Sequence, residues 1–251
     1  MAALPEVQSA VQHIVELAAE QGMVLRLLGG LAVRLHSPSA NHRSLARQYA
    51  DFDFVLADRR TDRLAAAVAK LGYVPNQSFN LLNGDRRLLF YDERGERQID
   101  VFVNEFHMCH SIPITADRLA LEPVTVPLAE LLLTKMQIVQ LNEKDVRDLC
   151  ALVLDHSFGD GDDDMFNLPY ITSLCARDWG LWKTITINAQ KVRDFADAYD
   201  LEGGQKLTIT ERLDVLRNTL DAAPKSLKWK ARDRIGERVQ WYDLPEEVQR
   251  G

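Results

Sequence analysis

The chain has 251 residues, 46% hydrophobic and 27% charged, an ordinary balance for a globular protein of one large domain or two moderate ones. A formal net charge of −7 excludes a general nucleic-acid adhesive, which needs a basic field, and no apolar run approaches the ~18 residues needed to span a bilayer. The opening "MAALPEVQSAVQHIVELAAEQG" is amphipathic and acidic with no basic flank, so neither a signal nor a transit peptide is expected. Cys109, Cys150 and Cys175 form no CxxC pair, and a reduced, cytoplasmic setting with no membrane partner is expected.

In chain order, Glu6 to Gly22 has the spacing of an amphipathic helix with Val7, Val11, Ile14, Val15 and Ala18 on one face and Gly22 as its stop. "MVLRLL" (Met23–Leu28) predicts a short strand, and "LAVRLH" after Gly29-Gly30 predicts a second helix. A strand is expected over Asp51–Ala57, followed by a helix that Thr61 caps and Gly72 closes. "SFNLLNGDRRLLFYDERGERQIDVFV" predicts a meander of three strands, with tight turns at Asn83-Gly84 and Asp92–Gly95. From Pro127 the pattern is helical: "VPLAELLLTKMQIVQLN" starts on a proline, and "EKDVRDLCALVLDHS" is capped by Asn142. A stretch bearing Pro113, Pro123 and Pro127 divides the chain into a catalytic half, 1–120, and a helical half, 121–251. The expected class is α+β: a small mixed or antiparallel sheet flanked by helices, then a helical C-terminal domain.

The glycine pair sits where a strand passes into a helix. A side chain is absent twice, so the turn either needs unusual backbone angles or lets an anion approach backbone N–H groups. Downstream, "ADFDFVL" places Asp51 and Asp53 two apart on one face of a strand, their Cα atoms about 6.5–7 Å apart, with Phe52 and Phe54 on the other face. Two such carboxylates repel unless a cation lies between them. Asp100, in "RQIDVFV", points away from Ile99, Val101 and Val103. If the two strands are neighbours the three aspartates meet, and hard oxygen ligands of this kind suit Mg²⁺ or Mn²⁺. The bland alternative for DxD is a pair of surface carboxylates at a strand end.

Gly29-Gly30, Asp51/Asp53 and Asp100, in that order, resemble the DNA polymerase β-type nucleotidyltransferase superfamily, and the bacterial stand-alone branch related to abortive-infection type II toxins in particular. The resemblance covers residues 23–155. It implies a transferase in which the glycine turn and the following helix hold the phosphates of an NTP, the three aspartates hold the metal, and Arg47 occupies a position where that branch often has an arginine. Many relatives have Ser or Thr after the glycine, whereas this chain has Leu31, so phosphate would rely on backbone groups and on cations elsewhere.

Lys135 falls inside the apolar stripe Leu128, Leu131, Leu132, Ile138 and Val139, with Glu130, Thr134, Gln137 and Gln140 opposite. It either snorkels to water or, as the resemblance implies, reaches the triphosphate. Asp145 and Asp148, three apart on one helical face, match an RDxxDL-like segment and could orient Lys135, Arg47 or the acceptor; the alternative is a favourable charge at a helix start. The nucleotide-binding candidates are therefore Gly29, Gly30, Arg47, Lys135, Asp145 and Asp148.

His107, Cys109 and His110 lie close together, but no second ligand cluster follows, so no zinc site is expected. "DGDDDMF" lacks the glycine and closing glutamate of a calcium loop and is read as a solvated acidic loop. Lys225–Trp241 carries six cations and two acids between Lys225 and Arg238, interleaved with Trp229 and Trp241. It is either a basic helix with inward tryptophans or the surface for an RNA acceptor.

The function expected is transfer of a nucleoside monophosphate from an NTP to an acceptor hydroxyl. A tRNA or protein acceptor would suit a toxin of a toxin–antitoxin pair with an antitoxin partner, and a small hydroxylated molecule is the second choice. The rival reading is an inactive member of the same fold that binds nucleotide or a partner without turnover, and Leu31 is the residue that speaks for it.

Overall fold

The computed structural model describes residues 4–49, 51–92 and 97–244. Within them the chain forms two compact units. Unit 1 is Met1–Ala32, Gln48–Phe106 and Ile112–Pro127; unit 2 is Val33–Arg47, His107–Ser111 and Leu128–Gly251.

In chain order the elements begin with α1 (Leu4–Glu20), β1 (Leu25–Leu28), α2 (Gly29–His36) and a 3-10 turn at Pro38–Asn41. There follow β2 (Phe52–Leu56), α3 (Thr61–Ala69), β3 (Tyr73–Pro75), α4 (Gln77–Asn83), β4 (Arg87–Asp92), β5 (Gln98–Val103), β6 (Glu105–His107), β7 (Ser111–Pro113) and α5 (Ala116–Leu119). The remainder is α6 (Leu128–Met136), α7 (Glu143–Asp155), β8 (Ser157–Gly159), β9 (Met165–Asn167), α8 (Leu168–Cys175), α9 (Trp179–Ala198), α10 (Gly203–Ala222) and α11 (Leu227–Ile235). The α+β class and the mixed sheet are as expected.

The unit 1 sheet has the order β1-β2-β5-β4-β3, with β2 and β5 parallel and the other neighbours antiparallel. Period-2 alternation puts Phe52 and Phe54, at 2% and 0% exposure, into the core on one face. The predicted stripe of α1 (Val7, Val11, Ile14, Val15, Ala18) is buried throughout, and α1 packs on β1 and α3.

The three-strand meander is corrected. Its first third is helix α4, not a strand. Leu81 and Leu82 in this segment are 86% and 78% exposed. The signal that decides is Asn76, an N-cap whose side chain accepts from the Phe79 N–H at 3.1 Å. Asn80 then bonds both backbone groups of Leu89, accepting at 2.7 Å and donating at 3.0 Å, so a side-chain amide continues the ladder on the β4 edge. Asn83-Gly84 closes this helix rather than a hairpin. The predicted turn at Asp92–Gly95 runs into residues 93–95, outside the described residues.

Thr61 does not cap α3. Arg60 holds the N-cap position, and the Asp58 carboxylate accepts from the Arg60 N–H at 2.9 Å. The helix expected over 127–141 stops at Met136. Asn188 on α9 donates to the carbonyls of Met136 and Ile138 at 2.8 and 2.7 Å, satisfying acceptors that a longer helix would have used internally. Asn142 caps α7 as predicted, accepting from the Asp145 N–H at 3.1 Å.

In unit 2, α6 is buried on every side and packs on α7, α8 and α9, with α10 against α7 and α9. The residues across the wheel from Lys135 are inside too: Glu130, Thr134 and Gln137 are 0%, 2% and 0% exposed. The acidic stretch Asp160–Phe166 leads into β9, which pairs in parallel with β8 and buries Phe166 completely. Cys150 and Cys175 are free and buried, and burial pushes both thiols up to about 12.

His36 and His156 meet edge to face, their rings 6.2 Å apart. Burial first, then the neighbouring His156, pushes the His36 imidazole down to about 4, against a carboxylate contribution from Asp164. Above pH ~6.5 both the folded and unfolded chains hold it neutral, while at lower pH the unfolded chain takes a proton that the fold refuses. Stability is therefore expected to fall by about 3 kcal/mol as pH drops from ~6.5 to ~4 through this group. Urea midpoints at pH 7, 5.5 and 4.5 should show His36→Gln flattening that slope.

Candidate active site

The carboxylates lie in unit 1. In the β2–β5 ladder Asp53 is the direct partner of Asp100, so both side chains leave the same face, with their Cα atoms at the neighbouring-strand spacing of about 4.8 Å. Asp51 immediately precedes β2 and is half-buried, as is Asp53. Asp100 is 5% exposed. Burial raises its carboxyl above the ordinary carboxylate range, and the Asp51 charge adds to this, while hydrogen bonds and charge from Arg87 oppose it.

The glycine turn adjoins this group. Gly29 directly follows Leu28, the β1 partner of Asp53. Both glycines are buried and belong to the first turn of α2 rather than preceding it, which corrects the expected helix start. Gly29 has φ +72°, and a Cβ there would lie 2.1 Å from Oδ2 of Asp53. The residue is glycine for two reasons that act together: the backbone is left-handed, and the Asp53 carboxylate fills the space. Gly29→Ala is expected to cost at least about 1–2 kcal/mol from the backbone alone and to displace the Asp53 carboxylate, measurable as a lower urea midpoint. Leu31 is a core residue, 2% exposed.

Arg87, on β4, was not found from the sequence. It holds Asp100 through two hydrogen bonds, Nε to Oδ1 at 2.8 Å and Nη2 to Oδ2 at 2.5 Å. Nothing in the local pattern signals this contact, because it depends on the β4–β5 register that pairs Leu89 with Asp100. Among the described residues no group of three or more His, Cys, Asp or Glu side chains is arranged to hold a metal ion. By donor chemistry, Asp51, Asp53 and Asp100 suit a hard divalent cation, all being carboxylate oxygens, with Asp53 and Asp100 side by side on one face.

The other candidates lie in unit 2 and form one ion network. Lys135 Nζ is 3.0 Å from Asp145 Oδ1 and 2.9 Å from Asp148 Oδ2. Arg47 grips Asp148 in a fork, Nε to Oδ1 at 2.7 Å and Nη2 to Oδ2 at 2.6 Å. Burial alone would lower the Lys135 ammonium, but the Asp148 and Asp145 carboxylates outweigh it and hold the group above its ordinary value. The same attraction, from Lys135 and then Arg47, overcomes burial and keeps Asp148 below the usual carboxylate range.

No protein-family model matches the chain, and no curated protein matches its sequence. Among solved structures, the chain is similar to the solution structure of the antibiotic-resistance factor ANT(2'')-Ia, at 15% identity and a TM-score of 0.35, over 93% of this chain and 99% of that one. The functional reading therefore stands on the residues themselves.

The weaker signals divide. His107 lies 3.2 Å from Asp243, whereas His110 is buried and bonds Thr184 Oγ1 at 2.8 Å. Cys109 is buried between them in sequence. In α11 Trp229 turns inward, 7% exposed and 5.0 Å from the Trp182 ring, and Arg232 lies 4.6 Å from the Trp179 ring. Lys228, Lys230, Arg234 and Arg238 stay exposed. A stacking platform on Trp229 is thereby removed, and what the segment presents is cationic.

Proposed function

We propose that the protein is a metal-dependent nucleotidyltransferase of the DNA polymerase β type, moving a nucleoside monophosphate from an NTP to an acceptor hydroxyl. The observation that supports it most is the pairing of Asp53 with Asp100 on one sheet face, with Gly29 shaped around the Asp53 carboxylate. In this reading Asp51, Asp53 and Asp100 hold Mg²⁺ or Mn²⁺. Bound there, the ion supplies positive charge against the phosphate oxygens of an in-line displacement at the α-phosphorus. Asp100 is assigned to take the hydroxyl proton as the acceptor oxygen bonds to phosphorus and pyrophosphate leaves. The amides of Gly29 and Gly30, at the positive end of α2, are assigned to phosphate oxygens. Arg47, Lys135, Asp145 and Asp148 belong to unit 2, where they engage one another.

The exposed cations of α11 favour an RNA acceptor such as tRNA, and with it a toxin role opposed by an antitoxin. The test is incubation with labelled NTP, Mg²⁺ and cell extract, resolved into RNA, protein and small-molecule fractions. Label in RNA supports the favoured acceptor, and label in either other fraction reassigns it. Leu31, a buried apolar residue where a phosphate-binding hydroxyl would stand, favours a second reading as a non-catalytic nucleotide binder. Calorimetric binding of NTP with Mg²⁺, without transfer of label to any fraction, selects that reading.

A further inference from the structure

Arg87 is held more firmly than a surface ion pair. Its side chain and that of Asp100 are 12% and 7% exposed, and the guanidinium fork covers both carboxylate oxygens. The guanidinium carbon also lies 4.9 Å from the centre of the Phe102 ring and 5.8 Å from that of Phe79, so two aromatic faces restrict where it can move. Phe102 follows Asp100 by two on β5, and Phe79 comes from α4. The arginine, its carboxylate and both rings thus form one assembly inside unit 1.

This assembly bears on cation binding. A carboxylate offers about four lone-pair sites on its two oxygens, and a guanidinium fork takes one on each. A divalent ion arriving at Asp100 meets a carboxylate already neutralised and a fixed positive charge a hydrogen bond away. With Asp51 and Asp53 close by, the positive charge of Arg87 also relieves the repulsion that the carboxylates would otherwise exert on one another.

Resting on the nucleotidyltransferase reading, we propose that Arg87 is a resident counter-cation that latches Asp100: it keeps the carboxylates charge-balanced without metal and weakens binding of a free divalent ion. The anionic phosphates of an NTP offset its charge, so the latch couples cation binding to nucleotide binding. Free cation binds poorly, and cation accompanied by nucleotide binds well.

The experiment is a Mn²⁺ titration of the full chain followed by electron paramagnetic resonance, with and without a non-hydrolysable NTP analogue, on the unaltered protein, Arg87→Gln, Arg87→Lys and Asp53→Asn. Without nucleotide, Arg87→Gln is expected to bind Mn²⁺ about tenfold or more tighter than the unaltered protein, since removing a unit charge at this range leaves a strong attraction unopposed. Arg87→Lys, which keeps the charge and loses the fork, is expected to fall between them, and it decides the matter alone if thermal unfolding shows that Arg87→Gln does not fold. The analogue should tighten Mn²⁺ binding far more in the unaltered protein than in Arg87→Gln. Unchanged or weaker Mn²⁺ binding in the arginine variants overturns the latch and leaves the transferase reading standing. Failure of the unaltered protein to bind Mn²⁺ even with the analogue, or Mn²⁺ binding that Asp53→Asn does not reduce, overturns that reading and the latch together.

Discussion

Asp53→Asn and Asp51→Asn are each expected to lower label transfer by on the order of 10³-fold or more while leaving the protein folded. The size follows from what the carboxylates are assigned to hold: loss of a metal's charge stabilisation removes several kcal/mol from the transition state, and each ~1.4 kcal/mol is tenfold in rate. Stability should move the other way. Asp51 raises the Asp100 carboxyl by like-charge repulsion, so Asp51→Asn removes a repulsive neighbour and should leave the urea midpoint unchanged or higher. A fall in activity with no fall in stability separates a functional carboxylate from a structural one, because a packed structural aspartate would lose both. Transfer that proceeds at an undiminished rate in both variants removes these residues from the chemistry.

Asp148→Ala is expected to be strongly destabilising, on the order of 3 kcal/mol, because buried Lys135 and half-buried Arg47 lose the carboxylate they share, with Asp145 still beside Lys135. Asp148 is 2% exposed and contacts both Lys135 and Arg47. Lys135→Met should cost less, since Arg47 keeps its fork on Asp148 and methionine fills the stem's volume in α6. A double-mutant cycle between Arg47 and Lys135 should show coupling through the shared aspartate. Its pH dependence has a fixed sign. The carboxyl is held below its ordinary value, so its contribution is full above pH ~4 and is lost as pH falls further. Equal urea midpoints for Asp148→Ala and the unaltered protein would refute the ion network as a source of stability.

Much of the fold could be read from local pattern. The α1 stripe, the alternation of Phe52 and Phe54 against Asp51 and Asp53, and the Asn142 cap all depend on contacts within a few residues. The misreadings share a cause. The segment from Ser78 to the Asn83-Gly84 turn, expected as the first strand of the meander, is helical because the Asn76 cap governs the backbone, and its Leu81 and Leu82 are exposed. Helix α6 ends at Met136, short of the extent its periodicity suggests, because its end is set by Asn188, 52 positions away. Side chains from distant elements can satisfy a helix end, and periodicity within the helix carries no trace of them.

At the candidate site the same division holds. The amino-acid order alone determined that Asp53 and Asp100 turn from apolar neighbours, that two glycines interrupt a strand-to-helix junction, and that Lys135 lies in an apolar stripe. Those properties follow from the periods of strand and helix, which are fixed by backbone geometry. Only the tertiary structure decided that Asp53 stands beside Asp100, that the Asp53 carboxylate fills the space a Gly29 side chain would need, that Arg87 closes on Asp100, and that Asp148 joins Lys135 to Arg47. Each of these depends on strand register or on packing between segments far apart in the chain, where a shift of one residue would bring a different side chain to the same place.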